Sequence, residues 1–405
     1  MLVRSPGYFT FLLALFGRCV ESQTPADVNS LMEDLFANYS HKVRPVSDQF
    51  SPIILDVSMF LCSVNQVDEV NEKLVTTGFL GLSWIDDLLQ WDPVNRNDIK
   101  SIFLPQNDIW KPDLVLKNGF ERFHELGGSF YFLSVHNTGH ILWYPYEVFE
   151  TRCSIDITYF PYDKQTCKIT FIVWSYSVNE VIITKSSNGI SFYEYEENSV
   201  WTMLSTNSEI KRDAYESEIS FTIELQRKSQ YYVLNMILPI ICLGFLSLLV
   251  FVIPVDAGEK MGYSVTVFLA FAVFLTIISE ELPANSENTS FLSVYLVLQM
   301  LIGAFVLVIS AIQLRLHHRK SNHGMSKVFV GIVRFEQCLR CVKGCRSSGK
   351  VDAVIVVKSE EKEEAINEHD IEWNDVSSAI DFLCFWMFFL INVGVTLFLF
   401  LHISS

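Results

Sequence analysis

Seven residues between positions 259 and 280 have the types and spacing to handle ions. Glu259, Gly262, Thr266, Leu269, Val273, Thr276 and Glu280 recur at steps of three and four, which puts them on one face of a helix. Along that face an acid is followed by a small residue, a hydroxyl, two bulky apolar residues, a second hydroxyl and a second acid. A lipid-facing helix has no use for such a stripe, whereas a helix lining water does. Several copies around an axis would stack these residues into rings. The carboxylate rings would attract cations, and the Leu269 and Val273 rings would stop ions by expelling water. One copy cannot make a pore, and the plainer alternative is a packed span whose end charges sit in water.

Other residue clusters are less promising as chemistry. Cys338, Cys341 and Cys345 suggest zinc, yet no fourth ligand is evident and Lys and Arg are interleaved. Reduced thiols beside a membrane, open to palmitoylation, are the better reading. His124, His136 and His140 lack ligand spacing, so no metal and no cofactor is expected. Nothing here reads as an enzyme. Asn38-Tyr-Ser is a candidate glycan acceptor, whereas Asn288-Thr-Ser falls too near a span to serve.

The elements that must position the 259–280 stripe follow from composition. The 405 residues suit two or three structural units, and half are hydrophobic, with 32 Phe and only 19% charged residues. The mean hydropathy of +0.28 is too apolar for an ordinary soluble chain. A net charge of −16 argues against nucleic acid, which needs a clustered basic surface, and favours cations. Arg4, the apolar run Tyr8 to Phe16 and small residues near Ser22 read as a cleaved signal. A transmembrane helix is the alternative there, but the run is short for ~30 Å of hydrocarbon. Residues 23–230 alternate apolar and polar in short runs, which predicts a sandwich or barrel of strands. Ahead of them, Ala26 to Tyr39 sets Val28, Leu31, Met32, Leu35 and Phe36 on one helical stripe.

After Tyr231 four stretches carry no charge: Tyr231 to Pro254, Met261 to Ser279, Asn288 to Leu314 and Phe382 to Phe400. Each is long enough to cross a bilayer as a helix. The expected domains are a signal at 1–22, an extracellular domain at 23–230, three spans at 231–314, a cytoplasmic segment at 315–378, and at 379–405 a fourth span with an outer carboxyl terminus. Residues 315–350 hold nine Lys or Arg against one acid, Glu336, as the positive-inside rule asks of a cytoplasmic flank. Within that segment Ser326 to Val342 reads as an amphipathic helix along the inner leaflet. Glu360 to Asp375 reads as an acidic stretch that continues as a helix into the last span.

Cys153 and Cys167 enclose thirteen residues with Phe160-Pro161-Tyr162-Asp163 near the middle. This stretch resembles the signature loop of the Cys-loop receptors, the pentameric ligand-gated ion channels. The resemblance runs along nearly the whole chain, through Leu35-Phe36-Ala37-Asn38-Tyr39, Val43-Arg44-Pro45-Val46, Val67-Asp68-Glu69-Val70-Asn71, Trp110-Lys111-Pro112-Asp113, Gln226-Arg227 and Gly258-Glu259-Lys260-Met261, which match the nicotinic and serotonin-gated branch. It implies a Cys153–Cys167 disulfide and an N-terminal helix. It further implies an all-β, Ig-like extracellular sandwich of about ten strands and a four-helix transmembrane bundle. Five subunits, as a homo- or hetero-pentamer, would surround a pore lined by the second span. Coupling roles fall to Glu69, Val70, the cysteine loop, Arg227 and the link from Pro283 to Phe291. Gly258-Glu259-Lys260 matches the cation-selective form, so Na⁺ and K⁺ are the expected permeant ions, with Ca²⁺ a further candidate. Gly262 departs from the hydroxyl residue usual in relatives and would widen the narrowest ring.

The same resemblance implies a ligand between subunits in an aromatic cage, where ring faces hold an ammonium at about 0.5 to 2 kcal/mol each. Trp174 matches the cage tryptophan, with Tyr176 beside it. Phe79, His136, Leu142 and Tyr144 would come from the complementary face. Other cage members are missing: Lys117 stands at the first cage tyrosine, Glu216 with Tyr215 at the loop tip, and no adjacent cysteine pair lies between Trp201 and Arg227. The agonist is therefore read as an amine or a zwitterion other than acetylcholine in its usual geometry. The expected partners are four further subunits, the same or related, and membrane lipid, in the plasma membrane. The expected function is a cation-selective, agonist-gated channel subunit. A non-conducting accessory or binding subunit is the alternative.

Overall fold

The structure, a computed structural model, describes residues 23–255, 258–281, 289–319, 326–340 and 372–403. The expected signal at 1–22, Pro283, Cys341, Cys345 and the acidic stretch up to 371 lie outside the described residues. The chain gathers into two compact units. One runs to Ser154 and resumes over Gln165–Leu225; the other comprises Ile155–Lys164 and Gln226–Ser405.

The first unit opens with α1 (Pro25–Phe36). Thr24 caps it in a reciprocal box with Asp27, and Pro25 occupies the first turn, where its missing N–H costs nothing. The helix ends three residues earlier than its apolar stripe predicts. Tyr39 leaves to donate its hydroxyl to Asp86 Oδ2 at 2.8 Å and to accept the Trp110 N–H at 3.0 Å.

Twelve strands follow: β1 (Ile53–Asp68), β2 (Lys73–Gln90), β3 (Ser101–Pro105), β4 (Leu114–Leu116), β5 (Phe132–His136), β6 (Thr138–Trp143), β7 (Tyr146–Arg152), β8 (Lys164–Val173), β9 (Val181–Thr184), β10 (Ser191–Glu196), β11 (Trp201–Arg212) and β12 (Ser217–Arg227). The number exceeds the expected ten in part because the run from 181 to 196 breaks at 185–190, and its two pieces pair separately, each parallel, with β1. One sheet runs β10-β1-β2-β6-β5-β3, with β7 on β2 and β9 on β1; the other runs β11-β12-β8-β4. Burial alternates along β1 and β12 as the sequence does, so Leu55, Val57, Met59 and Leu61 of one sheet and Ile219, Phe221 and Ile223 of the other are all buried. Edge contacts from Phe149 to Phe171 (5.3 Å) and from Phe171 to Phe221 (6.3 Å) join β7 of one sheet to β8 and β12 of the other. Cys153 and Cys167 are bonded, with Cα atoms 5.2 Å apart.

Among its described residues the second unit holds four helices long and apolar enough to cross a membrane: α2 (Gln230–Phe251), α3 (Lys260–Glu281), α4 (Phe291–His317) and α6 (Trp373–Ile403). A π turn at Val233–Ile237 in α2 lies just before Pro239, whose ring would otherwise strike the carbonyl four residues back. The last helix starts at Trp373, inside the segment expected to be cytoplasmic. The amphipathic helix predicted at 326–342 is α5 (Lys327–Leu339). Its Val330 and Val333 are buried, and Val333 packs with Val376 and Ala379 of α6. Midway along the bundle, Asn392 Nδ2 donates to Gln299 Oε1 at 3.4 Å, and Gln299 Nε2 donates to the Tyr295 hydroxyl at 3.0 Å. Gly244 sits so close that an added Cβ would lie 2.9 Å from Asn392 Nδ2. This contact keys α2 to α4 and α6.

Candidate functional site

The helix carrying the 259–280 stripe has two unlike sides. Ser264, Val267, Phe271 and Ile278 are buried against neighbouring helices, and Phe268 and Phe271 lie where Gly303 leaves α4 without a side chain. Gly262, Thr266, Leu269, Val273, Thr276 and Glu280 are all exposed, Leu269 at 61% and Val273 at 50%. Glu259, just before the helix, is exposed too. The Thr266 and Thr276 hydroxyls donate back to the Gly262 and Val273 carbonyls at 2.8 and 2.7 Å, which leaves their oxygens as acceptors facing outward. A Cβ at Gly262 would meet nothing within 4 Å, so packing does not require glycine there.

Lys260 supplies an electrostatic point that its position beside Glu259 conceals. Its ammonium is 3% exposed and pairs with Asp381 of α6, with the Phe251 ring 5.9 Å away. The helix turns that cation inward and leaves the Glu259 carboxylate without it on the exposed side. Sequence reasoning does not single out Asp381, an acid immediately before the uncharged run Phe382 to Phe400.

In the same unit, the stretch within the cysteine loop is tied to the helix ends. Arg227 donates from Nε to Asp163 Oδ1 at 2.7 Å and from Nη2 to Asp163 Oδ2 at 3.1 Å, both side chains at most 2% exposed. The guanidinium stacks 4.9 Å from the Phe160 ring and 5.3 Å from Tyr232. The Phe291 N–H donates to the Thr158 carbonyl at 3.1 Å, and the Tyr159 ring lies 5.7 Å from Phe291. Arg227 thus has a structural partner, Asp163, that its coupling assignment did not supply. Glu69 and Val70 lie on the β1–β2 turn of the first unit, with Val70 53% exposed.

The expected ligand residues fall into two groups. Phe79 and Tyr144 come together with their rings edge to face at 6.1 Å. The structure adds Phe60, stacked on Phe79 at 4.8 Å, and Tyr193, at 5.3 Å. His136 and Leu142 share that face of the sheet by register, since Ser134 pairs with Leu142 and Ser83 with Leu142. The His136 ring itself lies 6.1 Å from His140.

On the other group's side, Trp174 is 62% exposed and meets Phe123 edge to face at 4.8 Å. It lines a cleft of 410 Å³ with Asp113, His124 and Glu125. Tyr176 is half-buried, and its hydroxyl accepts the Trp110 Nε1–H at 3.2 Å. Tyr215 is 80% exposed at the β11–β12 turn. Lys117 is not unoccupied: its ammonium donates to Glu216 at 3.0 Å and to Glu218 at 2.5 Å. These hydrogen bonds, Glu218's first, hold it above the usual lysine range. Glu218 was not foreseen, because an acid alternating outward on a strand looks like ordinary surface. Asn38 is exposed just beyond α1. Among the described residues no three His, Cys, Asp or Glu side chains converge as a metal site.

A two-sheet β domain followed by four apolar helices, one bearing an uncovered polar stripe, defines a multi-pass receptor-like membrane protein. The neurotransmitter-gated ion-channel ligand binding domain matches residues 28–229, and the neurotransmitter-gated ion-channel transmembrane region matches 236–347. The chain belongs to this Cys-loop family of plasma-membrane channels, which are not enzymes. Among similar proteins, the Drosophila melanogaster acetylcholine receptor subunit alpha-like 2 is 31% identical over 78% of this chain and 57% of its own length. The Xenopus laevis acetylcholine receptor subunit beta is 31% identical over 76% and 67%. Human neuronal acetylcholine receptor subunit alpha-6 is 31% identical over 73% and 61%. The chain thus spans about three-fifths to two-thirds of the length of these relatives.

Proposed function

We propose that this chain is a subunit of a cation-selective, pentameric ligand-gated ion channel. Agonist binds at extracellular interfaces between subunits, and the α3 helices line the pore. The observation that carries the reading is the uncovered stripe of α3, apolar at its middle and acidic at both ends, on a helix that buries Ser264, Val267, Phe271 and Ile278 on its other side. Five such stripes facing one another would bury Leu269 and Val273 in a constriction, which water leaves readily, and set carboxylate rings at both mouths. Withdrawal of Lys260 to Asp381 favours cations at the Glu259 ring, since no positive charge on that face offsets the acid. Binding is passed on through the Cys153–Cys167 loop and Arg227 to the ends of the spans, shifting a closed and open equilibrium. Coupling roles fall as well to Glu69 and Val70 of the β1–β2 turn and, by its place in the sequence, to Pro283. The partners are four further subunits of the same or a related kind, and the permeant ions are Na⁺ and K⁺.

The test is expression in oocytes, alone and with related subunits, while amines and amino acids are applied. Reversal potentials in diluted external salt should follow the cation gradient, and Glu259→Lys should reduce that preference. A current with anion-directed reversal would overturn selectivity. Surface-delivered assemblies that never conduct under any agonist or partner would favour the accessory-subunit reading instead.

A further inference from the structure

The β11–β12 hairpin carries a cluster of charges arranged like a latch. Lys117 follows β4, while Glu216 and Glu218 stand at the start of β12; β8, which ends just before Trp174, is the strand between them. The Lys117 side chain therefore reaches across β8 to the hairpin. Lys211, on the other arm of the hairpin, lies 3.2 Å from Asp213 and 3.8 Å from Glu218. Two cations face three carboxylates, which leaves a surplus of one negative charge. The two partners of Lys117 are not equivalent. Glu218 is 14% exposed and makes the shorter bond, whereas Glu216 is 51% exposed. Glu216 can exchange its partner at little cost, because water and a new cation both reach it.

We propose that Lys117 stands in for a ligand's ammonium, and that an incoming protonated amine displaces it from Glu216 while Glu218 keeps hold of Lys117. The exchange leaves every charge paired, the ligand's cation neutralising the surplus carboxylate at the end of the β8–β12 pair from which Trp174 follows. Glu216 and Lys117 then determine specificity through N–H donors. A primary ammonium gives Glu216 a charge-assisted hydrogen bond that replaces the one lost from Lys117. A quaternary ammonium has no N–H to give and leaves that bond unmade. An amino-acid zwitterion brings a carboxylate into a site already negative. The inference rests on the reading of the Trp174 face as the ligand site.

The test uses three probes that share one ring: phenethylamine, its N,N,N-trimethyl derivative and phenylalanine. Each is titrated calorimetrically into the full chain reconstituted in lipid nanodiscs. Phenethylamine should bind about tenfold more tightly than either of the others, the scale of one charge-assisted hydrogen bond at a half-exposed site. Lys117→Gln removes the internal competitor and should tighten phenethylamine about threefold or more. Glu216→Gln should shrink the preference over the trimethyl probe to less than about twofold. Thermal midpoints check that both variants fold, and the ranking of the three probes on the unaltered chain needs no variant. Equal affinities, tighter binding of phenylalanine, weakening by Lys117→Gln, or no binding of any probe would each overturn the proposal. Oocyte currents separate it from the channel reading. Binding in this order without any current refutes conduction and leaves the latch standing, whereas currents evoked equally by the trimethyl probe refute the latch alone.

Discussion

Replacing Arg227 by Gln removes the cation from one of the most deeply buried charges in the chain. Asp163 is left at 2% exposure with two oxygens that had accepted bonds of 2.7 and 3.1 Å. Breaking a buried pair from one side costs about 3–5 kcal/mol, because the remaining carboxylate stays out of water without its cation. At about 1.4 kcal/mol per tenfold, that is a loss of about 10² to 4 × 10³ in the folded ratio. The lost stacking on Phe160 and Tyr232, at 4.9 and 5.3 Å, adds to it. Surface biotinylation of full-length protein in cells, with thermal inactivation of the solubilised protein, reads the effect. Arg227→Gln should nearly abolish surface delivery and lower the midpoint by several degrees. The double variant Arg227→Gln with Asp163→Asn should recover part of both, because it removes the stranded charge as well. A single variant that reaches the surface like the wild type, or a double variant no better than the worse single one, would refute the reasoning.

Leu269→Thr should ease opening, because a hydroxyl wets the apolar constriction; agonist concentration–response curves should move to lower concentration, and an unchanged curve in a conducting channel counts against this gate. Asp86 is fully buried, and burial pushes its carboxyl up to about 6 despite the hydrogen bonds from Tyr39, Leu88 and Leu89. A raised carboxyl pKa stabilises the fold at low pH, so that contribution, about 3 kcal/mol, is lost as pH rises from about 4 to about 6. Thermal midpoints of the wild type should fall relative to Asp86→Asn across that window, and parallel profiles would contradict it. Gly244→Ala forces a methyl group to within 2.9 Å of Asn392 Nδ2 and 3.2 Å of Gln299 Oε1, which should cost about 1–3 kcal/mol. Surface expression should fall, and Gly244→Ala combined with Asn392→Ala should restore it.

Much of the architecture was legible because two periodicities differ so sharply in this chain. Strands alternate over 53–227, four uncharged runs follow, and both patterns are local properties that burial enforces directly. The α3 stripe was legible for the same reason: a 3.6-residue repeat specifies which residues share a face without any knowledge of the neighbours. Helix ends were less so. Tyr39 left α1 for a carboxylate 47 positions away, whereas Asp375 lies in the first turn of α6 as the helical reading of the acidic stretch expects.

What the linear order could not contain is the partner of each charge. Glu259 and Lys260 are adjacent and look like a neutral pair, yet the helix turns the lysine inward to Asp381, 121 positions on. Lys117 and Glu216 were two unexplained departures from an aromatic cage until the fold joined them, with Glu218, across β8. Arg227 and Asp163, 64 positions apart, became one buried ion pair, and Phe60 and Tyr193 completed an aromatic patch begun by Phe79 and Tyr144. Hydrophobic pattern is set by neighbours along the chain, so residues alone determined the two halves and the exposed α3 stripe. Pairing of charges and rings depends on which strands and helices meet, a long-range outcome of packing, and so only the tertiary structure decided it.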